Sequence, residues 1–268
     1  MVNIMRIRVV FVVQNKGATV PFHHQYLLAQ YIRKIVETNP EYNENCPFYN
    51  FSGIKGQTKV SRNGLHFYSS KVTLVLASRN KTWIDFIIQQ IFQHKEVKIG
   101  NLLLTPEFVE QEVHNHFEDS TKYICISPLV LCKPQEDATY QAKKFIAPDL
   151  DIFSDLLYEA TIERMAQTNE YSDEELATFS KFQLVPDEFY LKKIKEDQKK
   201  FARIYTLSTE NKQEVRGYTL PFTLYAPKKV QEFVFNCGLG TFSEEGYGMI
   251  DIVRPAGSTQ RVETYFTP

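Results

Sequence analysis

The stretch Ile4-Met5-Arg6-Ile7-Arg8-Val9-Val10-Phe11-Val12-Val13 opens the chain and sets the reading of everything after it. It is rich in Ile and Val, and Arg6 and Arg8 alternate with apolar neighbours, which is the pattern of a β-strand. Pro21 follows, and proline suits the first turn of a helix. Leu27, Leu28, Tyr31, Ile32 and Ile35 then form an apolar stripe at helical spacing, ended by Asn39-Pro40. Beyond it the sequence predicts a short strand over 48–54, a turn at Asn63-Gly64 and strand sequence over 65–77. A second amphipathic helix is predicted over 83–94, then one or two strands over 95–113. The second half repeats this order. It predicts a strand over 122–132, an acid-faced helix over 149–167 and an ambiguous stretch over 172–194. Strands over 201–207 and 218–225, a helix opened by Pro227 and a last strand over 247–253 complete it. Each half approximates βαββαβ. The expected fold is therefore α+β, with two tandem ferredoxin-like domains at 1–117 and 118–268 divided in the polar stretch 114–121. No sequence repeat links the halves, and the fold alone specifies no function.

Composition bounds the function. Lys+Arg number 31 and Asp+Glu 32, for a net charge of −1, and 43% of the 268 residues are hydrophobic against 24% charged. These are values of a folded globular chain, which excludes disorder for its bulk. The apolar run Val9 to Val13 is strand-sized, far short of the roughly 18 residues of a membrane helix. The N-terminus lacks the pattern of a secretory signal. Cys46, Cys125, Cys132 and Cys237 are scattered, with no C-x-x-C pair, so no zinc or redox motif is indicated. A cytoplasmic protein without membrane contact, metal or cofactor is expected.

The neutral total conceals segregated charge. Residues 53–71 carry Lys55, Lys59, Arg62 and Lys71 and no acid; residues 192–203 carry six basic residues and two acidic; residues 149–175 carry nine acidic residues and one basic. Such local fields suit a polyanion, although a charge run is more often a solvated face.

The most specific segment is Gly238-Leu239-Gly240-Thr241-Phe242-Ser243-Glu244-Glu245-Gly246-Tyr247-Gly248, set between the last helix and the last strand. Glycine permits positive φ and close backbone approach, so the loop reads equally as a phosphate cradle or as a turn at a helix C-terminus. A dinucleotide-binding reading fails, because there the glycines follow a strand and open a helix. A Walker lysine is also absent.

This G-x-G-(x)5-G-x-G loop before a final strand resembles the repeat-associated (RAMP) superfamily, and more narrowly the CRISPR repeat-cleaving endoribonucleases. Val20-Pro21-Phe22-His23-His24-Gln25-Tyr26 is similar to the start of that family's first helix. Asn39-Pro40 lies where that helix ends, and Cys46-Pro47-Phe48-Tyr49-Asn50-Phe51-Ser52 resembles its proline-aromatic strand. The resemblance runs in order along nearly the whole chain. It implies two ferredoxin-like domains, a CRISPR repeat RNA ligand and metal-independent cleavage, and it leaves a homodimer and a place in a CRISPR effector complex open. With such a ligand, Gly238, Gly240, Gly246 and Gly248 are expected to admit the RNA backbone, and Lys55, Lys59 and Arg62 are expected to contact its phosphates because their segment is basic and turn-rich and carries no acid.

Many members carry a catalytic histidine in the loop before the proline-aromatic strand. Residues 39–47 here contain none. Other members place it on or beside the first helix, where this chain has His23 and His24; a tyrosine that assists in some relatives is matched by Arg33. On an ideal helix opened at Pro21, His24 falls on the apolar stripe, whereas His23, Tyr26, Gln30 and Arg33 share a polar one. That stripe holds a titratable base, a phenol and a cation, the parts that 2′-hydroxyl attack on a phosphodiester needs. His66, His94, His114 and His116 are weaker candidates, and no metal-ligand pattern surrounds them. Three functions stay open: an endoribonuclease, a repeat-RNA binder that has lost cleavage, and a protein-interaction module built on the acidic helix.

Overall fold

The computed structural model describes residues 5–113, 117–132, 144–208, 213–254 and 261–267. The chain forms two compact units. One comprises Met1–His114 with Glu244–Gly246 and Thr259–Pro268; the other comprises Asn115–Ser243 with Tyr247–Ser258.

The first unit runs β1 (Met5–Val13), β2 (Thr19–Val20), α1 (Gln25–Val36), α2 (Pro40–Glu44), β3 (Tyr49–Phe51), β4 (Thr58–Ser61), β5 (Gly64–Phe67), β6 (Lys71–Ser78), α3 (Lys81–Gln93), β7 (Val97–Ile99) and β8 (Leu102–Glu112). Its main sheet is antiparallel with central order β8-β1-β6-β3, the ferredoxin-like order. Leu28, Ile32 and Ile35 of α1 and Trp83, Ile84, Ile87, Ile88 and Ile91 of α3 are buried in one apolar core with Ile7, Val9 and Phe11 of β1. A smaller sheet, β2-β5-β4, is built from the β4–β5 hairpin after Lys55 with β2 paired to β5.

The second unit runs β9 (Ser120–Cys125), β10 (Leu129–Val130), α4 (Asp151–Gln167), α5 (Asp173–Thr178), β11 (Gln183–Pro186), α6 (Glu188–Glu196), β12 (Ala202–Ser208), β13 (Gln213–Tyr218), β14 (Pro221–Tyr225), α7 (Lys228–Cys237) and β15 (Ile250–Ile252). Its four-stranded antiparallel sheet has order β11-β14-β9-β15, the same topology met from the other edge. The chain then returns to the first unit as β16 (Val262–Phe266), paired with β8. The α+β fold with two ferredoxin-like repeats is thus the one the element order predicts.

Local differences have physical reasons. The first helix begins at Gln25 rather than Pro21, and His24 is its N-cap residue without a side-chain capping bond, because its ring is engaged elsewhere. Pro40 does more than end that helix. It occupies the first turn of α2, where the Asn39 side chain accepts from Glu41 N at 3.0 Å. The run expected over 65–77 is two strands, and the stretch expected over 218–225 divides between β13 and β14. β11 lies inside the ambiguous region, and β16 follows a stretch without a strong strand pattern. Arg6, read as the polar partner in an alternating strand, is buried with its Nε 2.6 Å from Glu112, which also meets Arg8 at 2.5 Å. Two cations around one carboxylate balance a charge that would otherwise be costly to bury.

Candidate functional site

The turn Pro21–His24 and the first helix carry the candidate catalytic residues in the first unit. His24 is buried. Its Nδ1 lies 3.2 Å from Pro21 O, and Ile54 N donates to its Nε2 at 3.2 Å. The second bond requires Nε2 to accept, so Nδ1 carries the proton and the ring is a neutral strut between the helix start and the end of β3. Burial holds its pKa below the ordinary 6.5, with the Pro21 carbonyl opposing and His23 adding to the shift. His23 and Tyr26 are half-buried. Arg33 projects from the exposed side of α1 and forms an ion pair with Glu245 of the glycine segment. Burial pushes the Glu245 carboxyl up, Arg33 pulls it down and Glu244 pushes it up again.

Gln25, which the sequence offers only as one letter of the motif at the helix start, is buried beside these groups. Its Nε2 donates to Gly246 O at 2.6 Å and to Phe51 O at 3.3 Å, which ties the helix start to the glycine segment and to β3. Gly246 has φ +79°, and a Cβ there would stand 2.2 Å from that Nε2 and 2.4 Å from Phe51 Cε2. Only glycine fits this backbone and this space.

The remaining glycines belong to the second unit. Gly238, Gly240 and Gly248 are all buried. Gly248 N donates to Pro128 O at 2.7 Å, Leu239 N to Gly248 O at 2.8 Å and Thr241 N to Val130 O at 3.1 Å. At Gly248, with φ +75°, a Cβ would lie 1.9 Å from Leu239 O. The loop carbonyls converge on Arg164 of α4. Its Nη1 donates to Gly238 O at 2.8 Å and Gly240 O at 3.2 Å, and its Nη2 to Cys237 O and to Ser243 Oγ, the latter at 2.8 Å. Its guanidinium also lies 5.5 Å from the Phe233 ring centroid. Arg164 is the one basic residue of the acidic stretch 149–175, and a charge count offers no sign that it alone turns inward. Of the two readings of this loop, the geometry matches a bonded, buried turn.

The basic segment runs from the edge of the main sheet through the small sheet of the first unit. Lys55 is half-buried and its main chain bridges to Thr73; Lys59 on β4 and Arg62 at the β4–β5 turn are exposed. Lys71 is paired with Glu107 at 2.7 Å. His66 is a structural residue: its Nδ1 lies 2.9 Å from Gly17 O and 3.1 Å from Thr19 Oγ1, and its Nε2 2.8 Å from Ser61 Oγ. His94 caps the end of α3, with Nδ1 3.3 Å from Tyr31 OH. His114 and His116 lie outside the described residues. Among the described residues no group of three or more His, Cys, Asp or Glu is placed to hold a metal, and no helix is long and apolar enough to cross a membrane.

Two ferredoxin-like units with this buried glycine segment define a protein of the RAMP fold class. The chain belongs to the CRISPR-associated protein Cas6 family, a family associated with CRISPR repeat RNA processing: the model of its C-terminal region matches residues 110–252. An endoribonuclease-like Cas6 protein of Pyrococcus furiosus is 21% identical over 262 residues, covering 93% of this chain and 99% of its own. The solved structure of a Cas6-related protein from Pyrococcus furiosus is similar with a TM-score of 0.76 at 18% identity, over 94% of this chain and 99% of that one. A RAMP protein described as binding different RNA substrates gives 0.75 at 18% identity, over 93% of this chain and 100% of its own. At such identities the structural likeness establishes the fold.

Proposed function

We propose that this protein binds CRISPR repeat RNA and cleaves the precursor transcript by metal-independent attack of a 2′-hydroxyl. Lys55, Lys59 and Arg62 meet phosphates, and His23 is the proton-transfer residue. The observation that carries this reading is the division of labour at the helix start. Both ring nitrogens of His24 are bonded within the fold, so in this reading His24 serves the structure and the adjacent half-buried His23 moves the proton. In this reading the glycines hold the loop's shape, and Tyr26 and Arg33 flank the reacting phosphate. The domain division, the cytoplasmic location and the place in an effector complex accompany the same proposal.

His23→Ala is expected to slow single-turnover cleavage of repeat RNA in EDTA by roughly 10²–10⁴-fold, the range for losing one general acid or base. RNA affinity should hardly change, because a neutral imidazole adds little phosphate attraction. Equal cleavage by wild type and His23→Ala would remove histidine from the mechanism.

A second reading is binding without cleavage, and the Arg33–Glu245 ion pair favours it. A guanidinium already matched by a carboxylate has less charge to offer a phosphorane. Tight repeat binding by wild type with no 2′,3′-cyclic phosphate product would establish this second reading.

A further inference from the structure

The β4–β5 hairpin carries an aromatic ring that the proposed phosphate contacts do not use. Register places Lys59 opposite His66 and His66 opposite Thr19, so these three residues share one face of the small sheet. Tyr68 continues that ladder one residue past β5, with its N donating to Gln57 O at 3.0 Å. Lying two residues beyond His66, it falls on the same face. The opposite face is the core side, where Val20 and Phe67 are buried and Leu65 packs against the core.

Tyr68 keeps 46% of its surface open, and the Lys59 ammonium lies 5.0 Å from its ring centroid. Arg62 at the hairpin tip and Lys16 in the loop before β2 are exposed as well. No acidic residue occurs between 53 and 71, and among the described residues neither Lys59 nor Arg62 has a carboxylate partner. The His66 ring on this same face lies within hydrogen-bond distance of Gly17 O, Thr19 Oγ1 and Ser61 Oγ, which fixes β5 to its neighbours on both sides. An accessible ring flanked by unmatched cations on a rigid sheet is what single-stranded nucleic acid selects, since a base supplies a π-face and its backbone a phosphate on either side.

We propose that the outer face of β4–β5 is a stacking platform for one unpaired RNA base, with Tyr68 against the base and Lys59 and Arg62 on the flanking phosphates. This rests on the RNA-binding reading above and adds to it a ligand class, an unpaired nucleotide. A paired base is already stacked within its helix and offers the ring no free face.

The test uses the full chain and single-stranded repeat RNA carrying 2-aminopurine at successive positions. One position should be quenched on binding to wild type, and that quench should vanish with Tyr68→Ala and persist with Tyr68→Phe. Tyr68→Ala should weaken binding by about tenfold, the scale of one base–aromatic stack, with an unchanged salt slope because no cation is lost. Its melting temperature should match wild type. A fully paired RNA should bind both proteins equally. If wild type binds no RNA, the functional reading fails and the platform with it. If wild type binds in a salt-sensitive way and Tyr68→Ala shows the same affinity and quench, the platform alone is overturned. An equal loss on paired RNA would also overturn it.

Discussion

Replacing Arg164 by methionine should unfold the glycine segment from within. The guanidinium serves four acceptors: the carbonyls of Cys237, Gly238 and Gly240 and the hydroxyl of Ser243. Methionine keeps an apolar stem of similar length beside Phe233 and removes every donor. A buried acceptor left without a partner costs about 1–3 kcal/mol. The four costs are not additive, because they share one group and the loop can relax, so a total of about 4 kcal/mol is expected. For a chain of this size that corresponds to a fall in melting temperature of about 10–15 °C. Near-UV circular dichroism would follow the transition, and limited proteolysis would ask whether cleavage within 237–248 appears first. Arg164→Lys, with one ammonium for a planar fork, should recover only part of the loss. A melting temperature for Arg164→Met within about 2 °C of wild type, against the 10–15 °C expected, with the segment still protected, would show that these bonds do not hold the loop.

Gly246→Ala should destabilise the protein by about 2–3 kcal/mol, since it adds a left-handed backbone penalty to a clash with Gln25 and Phe51; chemical denaturation would measure it, and an unchanged midpoint would refute it. His24 should make stability acid-sensitive. Its folded pKa lies below the ordinary 6.5, so the unfolded chain takes up the proton first. Stability is then full above pH 6.5 and is lost as pH falls from there towards the folded value. His24→Asn should be less stable at pH 8 yet lose less between pH 7 and pH 5, and identical pH profiles would contradict this. Reversal of Lys55, Lys59 and Arg62 to glutamate should weaken RNA binding strongly and lower the salt slope by about 2, near 0.7 per single-strand phosphate contact. An unchanged slope would make the hairpin an ordinary solvated face.

Much of the fold was legible because the hydrophobic periods are strong. The strand at β1 and the stripes of α1 and α3 are read from spacing alone, and both βαββαβ orders follow. What escaped was what tertiary contact decides. Pro21 has the right conformation to open a helix, yet the chain spends four residues turning so that His24 can reach Ile54. Arg6 and Arg164 are polar in any pattern count, and each is buried because its partners are distant in sequence: Glu112 in one case, the glycine-loop carbonyls in the other. β16 pairs with β8, whose position cannot be inferred from residues 262–266. At the candidate site both histidines are visible in the sequence, and His24 is buried as its place on the apolar stripe predicts, but His23 is half-buried rather than fully solvent-facing, because the helix begins only at Gln25 and the turn before it does not follow helical spacing. Gln25 gave no signal, as a lone glutamine at a helix start has none.

The glycine segment shows why family membership and activity are separate questions here. It is the most specific motif in the sequence, and the structure accounts for its residue types by packing: Gly246 because Gln25 and Phe51 leave no room for a Cβ, Gly248 because Leu239 O does not. Its amides and carbonyls bond to Pro128, Val130, Arg164 and Gln25, all within the chain. A segment so constrained identifies the fold wherever it occurs, and it would persist in a member that had lost cleavage, since the fold needs it in either case. In the proposed reading the chemistry lies instead at His23 and on the exposed side of α1, whereas His24 beside it is a buried part of the fold. The decisive comparison is accordingly His23→Ala against Gly246→Ala. The first should separate cleavage from stability, and the second should lower both together.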